Sequence, residues 1–145
     1  MYILAGFRSF DDVYTIFMDS VRIDGYLLPQ SPEGRYGLLE FALRRYELAF
    51  DDAKKVEFIR DTEMLTVELD NNDVELVTAY MRLKSYEKAR DEYVTTFDIL
   101  MDDIGRRNFK AQADALQALI AETKQEIDLL IRKMSEDFDV LDGLE

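Results

Sequence analysis

The sequence predicts an all-α protein: a small bundle of about four helices with a long C-terminal helix and extended loops. Three observations predict it. Apolar residues recur at helical spacing in four separate stretches, the two prolines stand close together at Pro29 and Pro32, and the last stretch runs for about 30 residues without Gly or Pro. With 145 residues, 48% of them hydrophobic and 12% aromatic, the chain has material for one core. Residues 1–138 read as a single helical domain and 139–145 as an acidic tail.

Ser9 is placed to cap the first helix, with Asp11 and Asp12 in the first turn, where the helix dipole favours acids. Val13, Ile16, Phe17 and Val21 follow on one face. The stretch 23–30 breaks the period and reads as a loop. Ser31-Pro32-Glu33 then joins a hydroxyl cap, a proline at the first helical position and an acid. The second helix should reach about Phe50, with Leu38, Leu39, Ala42, Leu43, Tyr46, Ala49 and Phe50 forming its stripe and Arg44, Arg45 and Glu47 off it.

Residues 51–60 are compatible with continued helix, Val56 and Ile59 pointing inward. Leu65–Leu69 alternates with period two, and with no second strand to pair with it reads as an extended connector covering the helices. Asp70-Asn71-Asn72-Asp73 is dense in capping residues and opens a third helix, expected from about Asp73 to Tyr93, with Val74, Val77 and Met81 inward and a charged, solvated second half. The β-branched Val94-Thr95-Thr96 should interrupt it, and Gly105 marks a further turn. Asn108 is the expected cap of the last helix, whose apolar face is Phe109, Ala113, Leu116, Ile120, Ile127, Leu130, Met134 and Phe138. Such a rod is roughly 45 Å long. It is longer than a small bundle covers, so part of it should meet another surface.

Composition narrows function. The 18 Lys and Arg against 31 Asp and Glu give a net charge of −13, which argues against gripping nucleic acid by the overall field. There is no Cys and no His, so thiolate chemistry, zinc ribbons and imidazole acid–base catalysis are excluded. Phosphate-loop, dinucleotide and nucleophile-elbow glycine patterns are missing. The expectation is a protein that is not an enzyme and holds no cofactor or metal. No apolar run approaches the ~20 residues that span a bilayer, so no membrane partner is expected. The opening residues lack a basic n-region, which favours synthesis and residence in cytoplasm.

A few segments deserve a functional reading beside a structural one. Asp70 to Glu75 superficially suggests a calcium loop, but the sixth position is Glu75 and the twelfth Met81, where Gly and Glu are required; helix capping explains it. Glu122 and Glu126 lack the partner His of a di-iron motif and read as a solvated face. Arg106 and Arg107, beside Asp102 and Asp103, either hold a phosphate or partner carboxylate or balance charge on an exposed turn. Tyr26, Leu27 and Leu28 are three large apolar residues in a loop beside Pro29. They either fold over the helices or dock on a neighbouring chain.

The order of segments resembles a known family. Phe17-Met18, Leu38-Leu39-Glu40-Phe41-Ala42-Leu43 leading to Phe50-Asp51-Asp52, Leu69 with Asp73-Val74-Glu75-Leu76-Val77 and Tyr80-Met81, and Asn108 to Leu116 opening a long helix together resemble the helical neck proteins (head–tail connectors or adaptors) of tailed bacteriophages. The resemblance spans roughly residues 13–138 as a pattern of helices. It implies a homo-oligomeric ring, dodecameric in that family, assembled in the host cytoplasm and resident in the virion neck. Portal and tail or neck proteins would be its partners, and DNA would pass through its channel without specific binding. The competing reading is an acidic helical interaction module or DNA-mimicking inhibitor. Interspersed Lys and Arg along the chain favour the first.

Overall fold

Two hydroxyl caps start the first half of the fold. In the computed structural model, which describes residues 6–99 and 103–143, with side chains over 6–95 and 110–136, the Ser9 hydroxyl accepts from the Asp12 amide and opens α1 (Phe10–Ser20). The Ser31 hydroxyl accepts from the Gly34 amide, with Pro32 at the first position of α2 (Pro32–Ala49). Both helices begin where the sequence places them. Between them lies a single 3₁₀ turn, Gly25–Leu27.

Helix α2 stops because Asp51 and Asp52 take left-handed backbone angles, with φ of 51° and 61°. Asp tolerates this region better than most residues. The chain then turns into strand β2 (Phe58–Ile59), which pairs antiparallel with β3 (Met64–Leu69); β1 (Phe7–Ser9) pairs along the other edge of β3. The sheet order is β1-β3-β2. This corrects two expectations: residues 51–60 do not continue the helix, and Leu65–Leu69 has two partners. The fold is mostly helical, with four helices among the described residues, but not strictly all-α.

The sheet forms because aromatic rings need a floor. Phe10, Tyr14 and Phe17 of α1, Tyr36 of α2 and Phe58 of β2 form a chain of ring contacts with centroids 5.0–5.8 Å apart. Leu65 and Leu69 close the core from β3 while Val67 between them is exposed. The β1–β3 register breaks opposite that residue, and Arg8 bridges the irregularity by donating Nε to the Leu65 carbonyl at 3.1 Å.

Asp70 and Asp73 begin α3 (Asn71–Ile99) with a reciprocal cap. The Asp73 amide donates to the Asp70 carboxylate at 2.8 Å, and the Asp70 amide donates back to Asp73 at 3.3 Å. Asp73 also accepts from the Tyr46 hydroxyl at 2.9 Å, tying the end of α2 to the start of α3. Burial, then this carboxylate, holds the Tyr46 phenol well above its ordinary range. Helix α3 is buried on every side over Leu76–Ala79, and Met81, Tyr86 and Ala89 continue the core. Its buried hydroxyls are satisfied locally: Thr78 donates to the Val74 carbonyl and Ser85 to that of Met81.

The β-branched residues at 94–96 do not interrupt α3, which reaches Ile99. Residues 100–102 lie outside the described residues. Helix α4 (Asp103–Gly143) starts five residues before the expected cap, so Gly105 and Asn108 lie within its first turns and Arg106 and Arg107 are on helical backbone, not on a turn. Most of the acidic tail is the continuation of this rod. Leu116, Ile120, Ile127 and Met134 are buried as expected, and buried Thr123 fills the seven-residue gap, its hydroxyl donating to the Leu119 carbonyl at 2.7 Å. The side chains of Phe109 and Phe138 lie outside the described residues.

One charged clamp fixes α3 against α4. Arg82, its side chain only 10% exposed, donates from both terminal nitrogens to Glu126 at 3.0 and 3.1 Å. Glu126→Ala leaves that buried cation without its partner and is expected to destabilise the fold by about 2–3 kcal/mol. Arg82→Met removes the charge at similar volume and is expected to cost less than half as much. Urea unfolding of both variants decides it: equal costs, or the reverse order, contradict this account of the clamp.

Candidate interaction surface

Tyr26, Leu27 and Leu28 part company in the structure. Leu28 is 5% exposed and belongs to the core, Leu27 is half-buried, and Tyr26 stands at the apex of the 3₁₀ turn, 70% exposed. The loop both folds over the helices and presents a ring to solvent. The chain leaves the turn at Leu28 in extended backbone (φ −95°, ψ 161°), and that side chain enters the core while Tyr26 stays outside.

Several hydrogen bonds hold this loop. The Arg22 amide donates to the Tyr86 hydroxyl of α3 at 3.0 Å, and the Arg22 guanidinium donates to Glu122 of α4 at 2.7 Å. The Gln30 side-chain amide donates to the carbonyls of Gly25 and Leu28, both at 2.8 Å, and Arg35 donates to the Pro29 carbonyl at 3.3 Å. The Arg22–Glu122 pair is about 60% exposed at both ends, so it orients the loop more than it stabilises the fold.

The loop roofs a trough. A hollow of about 370 Å³ lies between Arg22, Ile23, Asp24 and Leu27 on one side and Tyr93, Gln112, Ala115, Leu116 and Leu119 of α3 and α4 on the other. A second hollow of about 270 Å³, bounded by Tyr26, Leu27, Glu92 and Tyr93, adjoins it and shares Leu27 and Tyr93. The hydrogen bond that the Tyr93 hydroxyl shares with Tyr26, which favours its neutral form, followed by burial, pushes the Tyr93 phenol up to about 12. An aromatic rim, an aliphatic floor and paired charges suit recognition of another protein's side chains.

Arg106 and Arg107 lie on α4 upstream of Gln112, which lines the trough; their side chains lie outside the described residues. Glu122 and Glu126 do not form a merely solvated face, because each anchors an arginine from another element. The Asp70–Asp73 segment is a helix cap. Among the described residues no group of three or more Asp and Glu is placed to hold a metal ion, and no helix is long and apolar enough to cross a membrane.

Two features do not stand out from the sequence. Tyr93 closes a stretch that reads as solvated, and Phe41 falls outside the apolar stripe expected for α2. Phe41 instead lies half-buried beneath the Arg45 guanidinium and the Lys84 ammonium, 5.3 and 4.8 Å from its centroid. The i, i+4 spacings Phe41–Arg45 and Lys84–Lys88 were the available signal.

The fold and this surface define a mostly helical protein with a small sheet, whose built feature is a trough suited to contact. The chain belongs to the YomZ prophage protein family, whose sequence profile matches residues 7–136; it is phage-derived. It is 22% identical over 130 residues to the "SPbeta prophage-derived uncharacterized protein YomZ" of Bacillus subtilis (strain 168), covering 90% of this chain and 98% of that protein. No solved structure matches this chain.

Leu28→Ala is expected to cost about 2–4 kcal/mol of stability, and Tyr26→Ala less than about 0.5 kcal/mol. Thermal or urea unfolding measures both. Comparable losses would show that the loop does not divide between core and surface in this way.

Proposed function

We propose that the chain is a structural virion protein of a tailed phage, a neck (head–tail connector or adaptor) subunit. It assembles as a ring beneath the portal and joins the portal to the tail around the DNA channel. Membership of a prophage protein family supports a phage setting. The observation that carries the reading is the length of α4. Its backbone runs from Asp103 to Gly143, about 60 Å, while among the described side chains its buried positions span only Leu116 to Met134. A rod of this length offers surface for neighbouring subunits and for the portal. Leu129, 63% exposed on the outer side of α4, fits such a contact.

The net charge of −13 gains a role in this setting. An acidic channel wall repels phosphate, so DNA slides past without sticking. The reading assigns the protein no catalysis and no cofactor, with contact as its whole activity. A DNA-mimicking inhibitor needs carboxylates arrayed along one surface. Here Glu40, Asp73, Glu122 and Glu126 are taken up in ion pairs with Arg60, Lys54, Arg22 and Arg82, which weighs against that alternative.

Quantitative mass spectrometry of density-purified particles from an induced lysogen tests the reading. The chain is expected in a fixed ratio to the portal protein, and deletion of its gene should leave filled heads and tails unjoined. Its absence from particles, or intact particles without it, would overturn the assignment.

A further inference from the structure

The trough beneath the Tyr26 loop has a defined chemistry. Leu27, Leu116 and Leu119 make its floor aliphatic, and Tyr26 and Tyr93 make its rim aromatic. Three charged residues line it and the adjoining hollow: Arg22, Asp24 and Glu92. Arg22 is taken up by Glu122, so the balance of the rim is acidic. Asp24 holds the cap position of the 3₁₀ turn, yet its carboxylate bonds no backbone amide there. Among the described residues it meets no cation within ion-pair distance. An apolar hollow edged by an open carboxylate and an exposed tyrosine ring suits an apolar side chain with cations beside it.

The outer side of α4 carries that combination. Leu129 is 63% exposed, and Arg132 and Lys133 follow it at i+3 and i+4, so three exposed side chains share one face of the helix. Asp128 and Glu136 lie within a turn of the two cations. Among the described residues, however, neither Arg132 nor Lys133 forms an ion pair. We propose that the trough receives Leu129 from a second copy of this chain, with Arg132 and Lys133 of that copy set against Asp24 and the Tyr26 ring.

The leucine cannot come from the same molecule. Ala115, Leu116 and Leu119 line the trough from α4, and Leu129 stands about ten residues further along that continuous helix, roughly 15 Å away. The donor is another molecule. Because trough and leucine lie at different places on the chain, the contact is head-to-tail. Contacts of this type close into rings when the rotation allows and otherwise run into filaments. Both surfaces fall within residues 7–136, the span matched by the family profile. The inference deepens the connector reading, on which it rests for the ring, and its test is made in solution so that the two fail separately.

Native mass spectrometry and sedimentation of the full chain provide the test. One variant carries Asp24→Lys, a second Arg132→Glu with Lys133→Glu, and a third Leu129→Glu. All four side chains are exposed, and circular dichroism checks that each variant folds. The wild type is expected to self-associate, and each variant alone about tenfold or more weakly. The first and second variants mixed in equal amounts should recover association, since each supplies the surface the other has lost. The chain carrying both of those sets should recover it as well. A monomeric wild type, variants that associate like the wild type, or a mixture that does not recover would each overturn the proposal. A monomeric wild type whose Asp24→Lys variant no longer enters particles would show that the trough holds a different protein, which also overturns it. Self-association through these residues by a chain absent from virions would uphold the proposal while removing the connector reading.

Discussion

Helix α3 must be covered on all sides. Four consecutive residues, Leu76 to Ala79, are buried, so no single neighbouring layer can shield them. Helices α1, α2 and α4 and the sheet each cover one side. This requirement explains why a small sheet forms in a mostly helical chain, since the aromatic cluster of α1 and α2 and the underside of α3 leave a gap that Leu65 and Leu69 fill. It also explains the clamp between Arg82 and Glu126. A cation on a helix buried this deeply needs a carboxylate from whichever helix lies across it.

The surfaces follow from the same packing. Because α3 outlasts α2 and the loop after α1 crosses its second half, a trough opens under Leu27 and Tyr93. Phe41, on α2, is left half covered and collects Arg45 and, from α3, Lys84. The trough joins a hydrogen-bonded loop to two helices, whereas the hollow at Phe41 lies on helices alone. Phage descent and the long rod are compatible with the proposed connector role.

Much of the helical frame was legible. Caps at Ser9 and Ser31 and the apolar face of α4 were local signals, set by residues within a turn or two of one another, and they appear where the spacing puts them. The sheet was not legible, because β1 is three residues long and pairs with a segment more than fifty positions away. Its pairing is decided by tertiary packing, not by alternation in the sequence. The breadth of burial on α3 was hidden for a related reason. Thr78, Arg82 and Ser85 look like solvent-facing positions, yet back-bonded hydroxyls and an ion pair let them lie inside. At the candidate surface, sequence could single out Tyr26 to Leu28 as unusual but could not divide them. Only the turn decides which ring faces out.

Native-state hydrogen exchange measures the central claim most directly. If α3 is the wrapped core of the fold, the amides of Val77 to Tyr86 exchange only through global unfolding, with protection equal to the full stability of the chain. Amides of α3 that open before those of α1 and α2 would mean the bundle is held together elsewhere, and the account built on this helix would be wrong.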